Sequence, residues 1–311
     1  MTREKSILLL FCLMLAACRP KPSPTILIDP ALITLVPADT IFLAGVRMEP
    51  IRDTEVYKKY VLDKKIEMLD EFTKKTGLDP RADLWEFLIA GNGKDTIVMA
   101  RGHFSEMGLE PKLNIEGAQR FTYKGFTLLG DEARAVVFTN SSTAIAGPTA
   151  VLRRLIDHRT RPDSGAPRWL TERAAAIPST NQIWFVGSVA GQFGNLAPTA
   201  GAQGMNLGQF NFGQFLDALQ LLTARIDLQT GVKVHAEGLC VAETDARRLN
   251  DALRAGLGLA RLSTGDSNPQ LLRLIDGAKV LQQQKAVLLD IDWPLSAIDE
   301  LMKLAPPLNK R

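Results

Sequence analysis

The feature that most constrains the fold is a pair of matched openings, one in each half of the chain. Val36-Pro37-Ala38-Asp39-Thr40 precedes the apolar run Ile41 to Val46, and Ile177-Pro178-Ser179-Thr180-Asn181 precedes Ile183 to Val189. Each is a proline-led polar turn followed by a β-rich apolar stretch, the pattern of a strand start. Each run also carries a glycine near its end, Gly45 in the first and Gly187 in the second. Pro37 and Pro178 stand 141 residues apart in a chain of 311. A chain written this way is expected to hold two similar halves, which either pack as separate repeats or share one sheet.

Further elements follow the openings. Asp53 to Thr76 reads as one helix, capped by Asp53, ended by Gly77, with Leu62, Ile66, Leu69 and Phe72 as its apolar stripe. The lysine pairs at 58–59, 64–65 and 74–75 form its wet side. Phe215 to Thr223 gives a shorter helix in the second half. Strands are expected over Thr96 to Phe104, Arg120 to Leu129, Ala133 to Ala146 and Gly231 to Val241, with breaks at Lys124-Gly125 and Gly130-Asp131. Helix Pro148 to Asp157, with Pro148 in its first turn, closes the first half. Helices Asp245 to Leu262 and Pro269 to Gln283, strand Ala286 to Ile291 and helix Pro294 to Leu304 complete the second. Strands and helices without a βαβ rhythm predict an α+β fold, two similar halves with mainly antiparallel sheet and packed helices. The halves are 31–165 and 166–311, divided within Arg159 to Pro167.

The amino terminus reads as an address. Arg3 and Lys5 give a basic start, eleven uncharged apolar residues run from Ile7 to Ala17, and Leu15-Ala16-Ala17-Cys18 follows at their end. This is the build of a secretory signal, too short to span a bilayer. The tetrad resembles the lipobox of bacterial lipoproteins. That resemblance implies that residues 1–17 are cut away and that Cys18 carries acyl chains, so that its membrane partner is reached through covalent lipid. The plainer reading is an ordinary secretion signal, or an uncleaved anchor, with a coincidental cysteine. Two or three chains, at about 0.8 kcal/mol per buried methylene, anchor stably where one does not. Arg19 stands where well-studied Gram-negative lipoproteins often carry an inner-membrane retention Asp, which points to the outer membrane, facing the periplasm. Residues 18–30 hold the lipidated cysteine and a tether, in which Pro20, Pro22 and Pro24 favour an extended polyproline II segment.

Composition agrees with such a place. Lys and Arg number 37 against 34 Asp and Glu, a net charge of +3, which excludes a polybasic nucleic-acid binder. With Cys12 in the signal and Cys18 acylated, only Cys240 remains, so no internal disulfide is expected and Cys240 reads as a small core residue. The body resembles a group of bacterial envelope proteins without an assigned activity. Pro37-Ala38-Asp39-Thr40, Leu78-Asp79-Pro80-Arg81-Ala82-Asp83-Leu84 and the Ala-rich helix Asp245 to Leu262 carry that resemblance. It implies a duplicated α+β body and supplies no catalytic residue.

Motifs for chemistry are few. His103, His158 and His235 lack metal-site spacing, no catalytic residue or metal site is assigned, and no cofactor is expected. Gly91-Asn92-Gly93-Lys94 is read as a tight turn into the next strand, without the spacing of a phosphate loop. Lys233, His235 and Glu237 alternate along one strand face, either as a general-base site beside a carboxylate or as the wet side of a half-buried strand. Asp290 and Asp292 flank Ile291, a pair able to hold a divalent ion only with a further ligand; Asp292 also suits the cap of the helix from Pro294. Ala174 to Leu216 is 43 residues without a charge and repeats Gly-Gln-Phe three times. Its Phe193, Phe210, Phe212 and Phe215 are candidate contacts for a partner, or core aromatics of a long insertion. The expectation is an anchored envelope protein that binds or scaffolds. The alternatives are a hydrolase around His235 or Asp290 and an accessory subunit that meets an envelope protein partner.

Overall fold

A computed structural model describes residues 24–62, 64–76, 78–104, 119–158, 165–188, 218–264 and 269–304. The first half contributes strands β1 (Phe42–Arg47), β2 (Leu84–Gly91), β3 (Thr96–Gly102), β4 (Gln119–Tyr123), β5 (Phe126–Gly130), β6 (Arg134–Asn140) and β7 (Thr143–Pro148). The second contributes β8 (Ile183–Ser188), β9 (Leu219–Asp227), β10 (Gly231–Cys240), β11 (Ala278–Gln283) and β12 (Ala286–Pro294). All twelve form one sheet in the order β11-β12-β10-β9-β8-β1-β2-β3-β7-β6-β5-β4. Every pairing is antiparallel. The α+β class is as the sequence predicts, and the halves share a sheet. Moving outward from the β1–β8 seam, β1-β2-β3-β7-β6 and β8-β9-β10-β12-β11 follow the same connectivity.

The seam explains the two glycines of the matched openings. Gly45 pairs with Trp184 and Gly187 with Phe42. A Cβ on Gly45 would lie 2.2 Å from the Trp184 indole, and one on Gly187 would lie 2.3 Å from Phe42 Cβ. Trp184 thus lays its indole over the bare backbone of Gly45, and the Phe42 backbone and Cβ leave no room for a side chain at Gly187, while the Phe42 ring itself lies over Gly91. Burying a large apolar side chain contributes roughly 1.5–3 kcal/mol.

Alternation sends the cores to different faces in the two halves. On one face Leu88, Met99, Val137 and Leu128 are packed under α1 (Pro30–Ile33), α5 (Thr149–His158) and α6 (Arg168–Ala174). In the second half Leu219, Cys240, Val280 and Val287 lie on the opposite face, under α7 (Glu243–Thr264), whose Ala246 and Leu249 are buried there. The first face, continued into the second half, carries Arg225, His235, Asp290 and Lys279 in one cross-strand row. Among the described residues no helix is long and apolar enough to cross a membrane.

Turn chemistry is read correctly where it is local. Lys124 and Gly125 take φ of 48° and 83°, the double left-handed pair of a two-residue hairpin that matches strand twist, and join β4 to β5. Gly93, at φ 87°, turns β2 into β3 while Asn92 Oδ1 accepts from the backbone N–H groups of Lys94 and Asp95.

Longer expectations are corrected. The helix expected over Asp53 to Thr76 is preceded by a separate α2 (Met48–Arg52) and is itself broken into α3 (Glu55–Tyr57), a π turn over Lys58–Leu62, and α4 (Glu67–Thr76). Asp53 closes α2, and Thr54 restarts the chain by accepting from Tyr57 N–H at 3.1 Å. Tyr57 is buried, while Leu62 and Phe72 of the expected stripe are 53% and 41% exposed. Of the helix expected over Phe215 to Thr223, Leu219 to Thr223 lie in β9, because β8 and β10 offer ladder partners on both sides. The helix from Pro269 does not reach Gln283: α8 (Pro269–Asp276) stops at Gly277, and β11 then pairs with β12. Pro148 ends β7 instead of opening α5. Strand β2 has no counterpart in the sequence reading.

Candidate functional site

The site grows from two turns and a helix. After α1, Leu35 N–H bonds to Leu32 O, Thr40 N–H bonds to Pro37 O at 3.1 Å, and Ile41 N–H then joins Gly91 O at 2.8 Å. These bonds set the Pro37-Ala38-Asp39-Thr40 turn beside the β2–β3 turn. Helix α5 crosses the same end of the sheet and presents Val151, Arg154, Leu155 and His158, one stripe at i, i+3, i+4 and i+7. Between the three elements lies a cavity of about 440 Å³. Its floor is apolar, made of Val36, Ala90, Ile97 and Val151, all buried.

Polar groups gather at the cavity's edge. On the turn side, Asn92 Nδ2 donates to Asp39 Oδ2 at 2.7 Å, which ties the two turns together. On the helix side, an Arg154 Nη stands 3.6 Å from Asp95 Oδ2, outside hydrogen-bonding distance, and His158 is exposed one turn further on. An apolar pit edged by a few convergent polar groups is the usual build of a small-molecule site, and its volume falls in the ~300–1,000 Å³ range of such sites. The sequence reading singles out both turn motifs but not their meeting. Arg154 is not among its candidates, and His158 enters only as a histidine without metal-site spacing. The one sequence signal is the i, i+3, i+4, i+7 stripe of α5.

The charged face of the second half brings other candidates together. His235 Nδ1 and Asp290 Oδ1 are 2.5 Å apart, because β10 and β12 pair those residues directly. Lys233 faces Asp292 at 3.9 Å. Glu237 faces Thr223, away from the histidine's pair. Asp290 and Asp292 thus have separate partners, and among the described residues no three His, Cys, Asp or Glu side chains converge as a metal site requires. Cys240 is fully buried under α7, and burial, then the charge of Asp245, pushes its thiol pKa up. His103 packs edge-on against Trp85 at 4.9 Å. Cys18, Phe193, Phe210, Phe212 and Phe215 lie outside the described residues.

A second polar cluster clamps the amino-terminal segment to the sheet. Arg101 Nε donates to Asp29 at 2.9 Å, and its Nη1 donates to Ser142 Oγ at 2.7 Å and Thr143 Oγ1 at 2.6 Å. Glu86 sits among them; burial, then repulsion from Asp29, raises its pKa against the pull of Arg47 and Arg101. Ile26 N–H donates to Ile177 O and Ser179 N–H to Pro24 O, both at 2.8 Å. The Leu78–Leu84 motif is likewise a structural turn. Asp79 takes Arg81 N–H at 2.9 Å, and Arg52 donates to the carbonyls of Arg81, Ala82 and Leu84.

No family model matches this chain, and no curated protein matches it. Among solved structures, crystal form III of the treponemal protein TP0453 is similar at a TM-score of 0.51 and 10% identity, over 90% of this chain and 99% of that one. Crystal form I of TP0453 gives a TM-score of 0.45 at 9% identity, over 89% of this chain and 98% of that one. The form III likeness shows a shared fold.

Proposed function

We propose that this chain is a bacterial envelope lipoprotein, held by acyl chains on Cys18, whose body works by binding a small ligand at the end of the sheet where the two turns meet α5. The cavity carries the binding half of this reading, since it joins an apolar floor to polar groups of both signs. The leader and Leu15-Ala16-Ala17-Cys18 support the anchor. The fold likeness supports the location, because TP0453 is a treponemal lipoprotein associated with the outer membrane. Outer-membrane placement facing the periplasm is the finer form of the proposal. So is the division into two related halves, 31–165 and 166–311, supported by the matching strand order about the seam. An envelope protein partner for the uncharged stretch belongs to the same proposal.

The clamp fixes the place where the described chain begins. Pro24 is bonded to Ser179, and Arg47 Nη1 donates to Ser179 O at 2.7 Å, so Pro24 sits at the Arg47 end of β1. The cavity lies at the Thr40 end, one strand of about 20 Å away. Membrane fractionation with intact-mass measurement of the natively produced chain tests the anchor. The expected product begins at Cys18, carries two or three acyl chains and becomes soluble in Cys18→Ser. An unmodified, freely soluble product overturns it.

The 2.5 Å contact of His235 with Asp290 favours a second reading, an anchored hydrolase. Hydrolysis of a periplasmic substrate class that is lost in both His235→Ala and Asp290→Asn supports it. Hydrolysis unchanged in both removes this pair.

A further inference from the structure

We infer that the cavity between α5 and the Pro37–Thr40 turn takes a zwitterionic amphipath, one apolar chain or ring system whose head carries an ammonium and an anionic group close together. This rests on the binding reading and adds the class of ligand. The floor sets the body: Val36, Ala90, Ile97 and Val151 are buried and offer no polar side chain. The volume, about 440 Å³, suits one chain rather than the paired acyl chains of a phospholipid.

The edge sets the head. On the turn wall Asp39 accepts one side-chain hydrogen bond, from Asn92 at 2.7 Å, and a carboxylate has capacity for more. On the helix wall the Arg154 guanidinium has several N–H donors, and its nearest carboxylate, Asp95, is 3.6 Å away. A simple anion drawn to Arg154 would meet the repulsion of Asp39 and Asp95. A simple cation drawn to Asp39 would meet that of Arg154. A head with both signs turns each repulsion into attraction, and it can replace the loose Arg154–Asp95 contact with a charge-assisted bond. Two sources share this chemistry, a free α-amino-acid-type molecule and the head of a single-chain lysophospholipid.

The test is isothermal titration of the whole chain from residue 18, carrying Cys18→Ser, with three ten-carbon probes: 2-aminodecanoate, decanoate and decylammonium. The zwitterion is expected to bind at least about tenfold more tightly than either singly charged probe. Arg154→Gln is expected to erase its advantage over decylammonium, and Asp39→Asn its advantage over decanoate. Leu155→Trp, which fills the cavity, is expected to abolish binding of all three; Ala38→Trp, from the exposed turn, replaces it if circular dichroism shows Leu155→Trp unfolded. A parallel titration with lysophosphatidylethanolamine identifies the source, by whichever zwitterion binds more tightly. Equal binding of the three ten-carbon probes, or a zwitterion advantage that survives both charge variants, overturns the ligand class while leaving a binding cavity. No binding of any probe overturns the class and the binding reading together.

Discussion

Gly45→Ala asks whether the seam depends on the Trp184 ring lying directly on glycine backbone. The new methyl carbon would sit 2.2 Å from both Cε2 and Nε1 of Trp184. Non-bonded carbon atoms settle at about 3.5–4.0 Å, so the indole must retreat by more than an ångström. Trp184 is only 3% exposed and belongs to the main core cluster, so the retreat has to displace packed neighbours. Overpacking of this kind costs about 1–3 kcal/mol. The lower entropy of an unfolded chain with Ala in place of Gly returns about 0.4–1 kcal/mol. The net loss is then about 1–2 kcal/mol, a sizeable share of the ~5–15 kcal/mol that holds a domain folded. Urea unfolding followed by far-ultraviolet circular dichroism should show a lower midpoint at unchanged slope. The control is the same change in Trp184→Leu, whose side chain lacks the colliding ring atoms. There Gly45→Ala should be neutral, or stabilising by up to about 1 kcal/mol. An equal loss in both backgrounds refutes the collision argument.

Three further outcomes follow from the structure. Glu86 has a raised pKa in the fold, so its contribution to stability is present below its ordinary value of 4.5 and lost as pH rises through the raised one. Glu86→Gln, always neutral, should therefore gain stability relative to the parent between pH 4 and pH 8 in chemical unfolding, and a difference flat with pH would contradict this. Thr54→Ala removes the cap of α3 and the hydroxyl's 2.6 Å bond to Ile51 O in a buried setting, and should lower stability by about 1–2 kcal/mol in the same assay. Cys240, buried with a raised thiol pKa, should resist a disulfide-exchange reagent in the native state and react fully in urea; prompt native reaction would mean that α7 does not cover it.

The site is half legible in the sequence, for a reason of distance along the chain. Pro37-Ala38-Asp39-Thr40 and Gly91-Asn92-Gly93-Lys94 are both recognisable as turns from residue type alone, and the structure makes them turns. That Asn92 reaches back to Asp39 follows from the antiparallel register of β1 with β2, and β2 is the strand the sequence reading misses. Arg154 joins the edge because α5 folds back over that end of the sheet. His235 and Asp290 show the same limit. Each is visible on a strand face, yet only the β10–β12 register, across 55 residues, sets one against the other.

Sequence by itself determined what depends on a few consecutive residues: the strands that open at Pro37 and Pro178, the break between strands at Lys124-Gly125, the helical stretches of α5 and α7, and the α+β class. These follow from backbone restriction at Pro and Gly and from side-chain periodicity, which act locally. Tertiary structure alone decided where propensity is weak and a partner is decisive. It broke the helix expected from Asp53, where the Thr54 hydroxyl accepts from Tyr57 N–H and the distant Asp299 carboxylate accepts from the Tyr60 hydroxyl, and drew β9 and β11 into a ladder. It also left one sheet face apolar in the first half and charged in the second, and closed a cavity from three distant segments. A backbone hydrogen bond or a buried contact between remote residues forms only when the whole fold brings both members to the same place, and no short stretch of sequence contains that information.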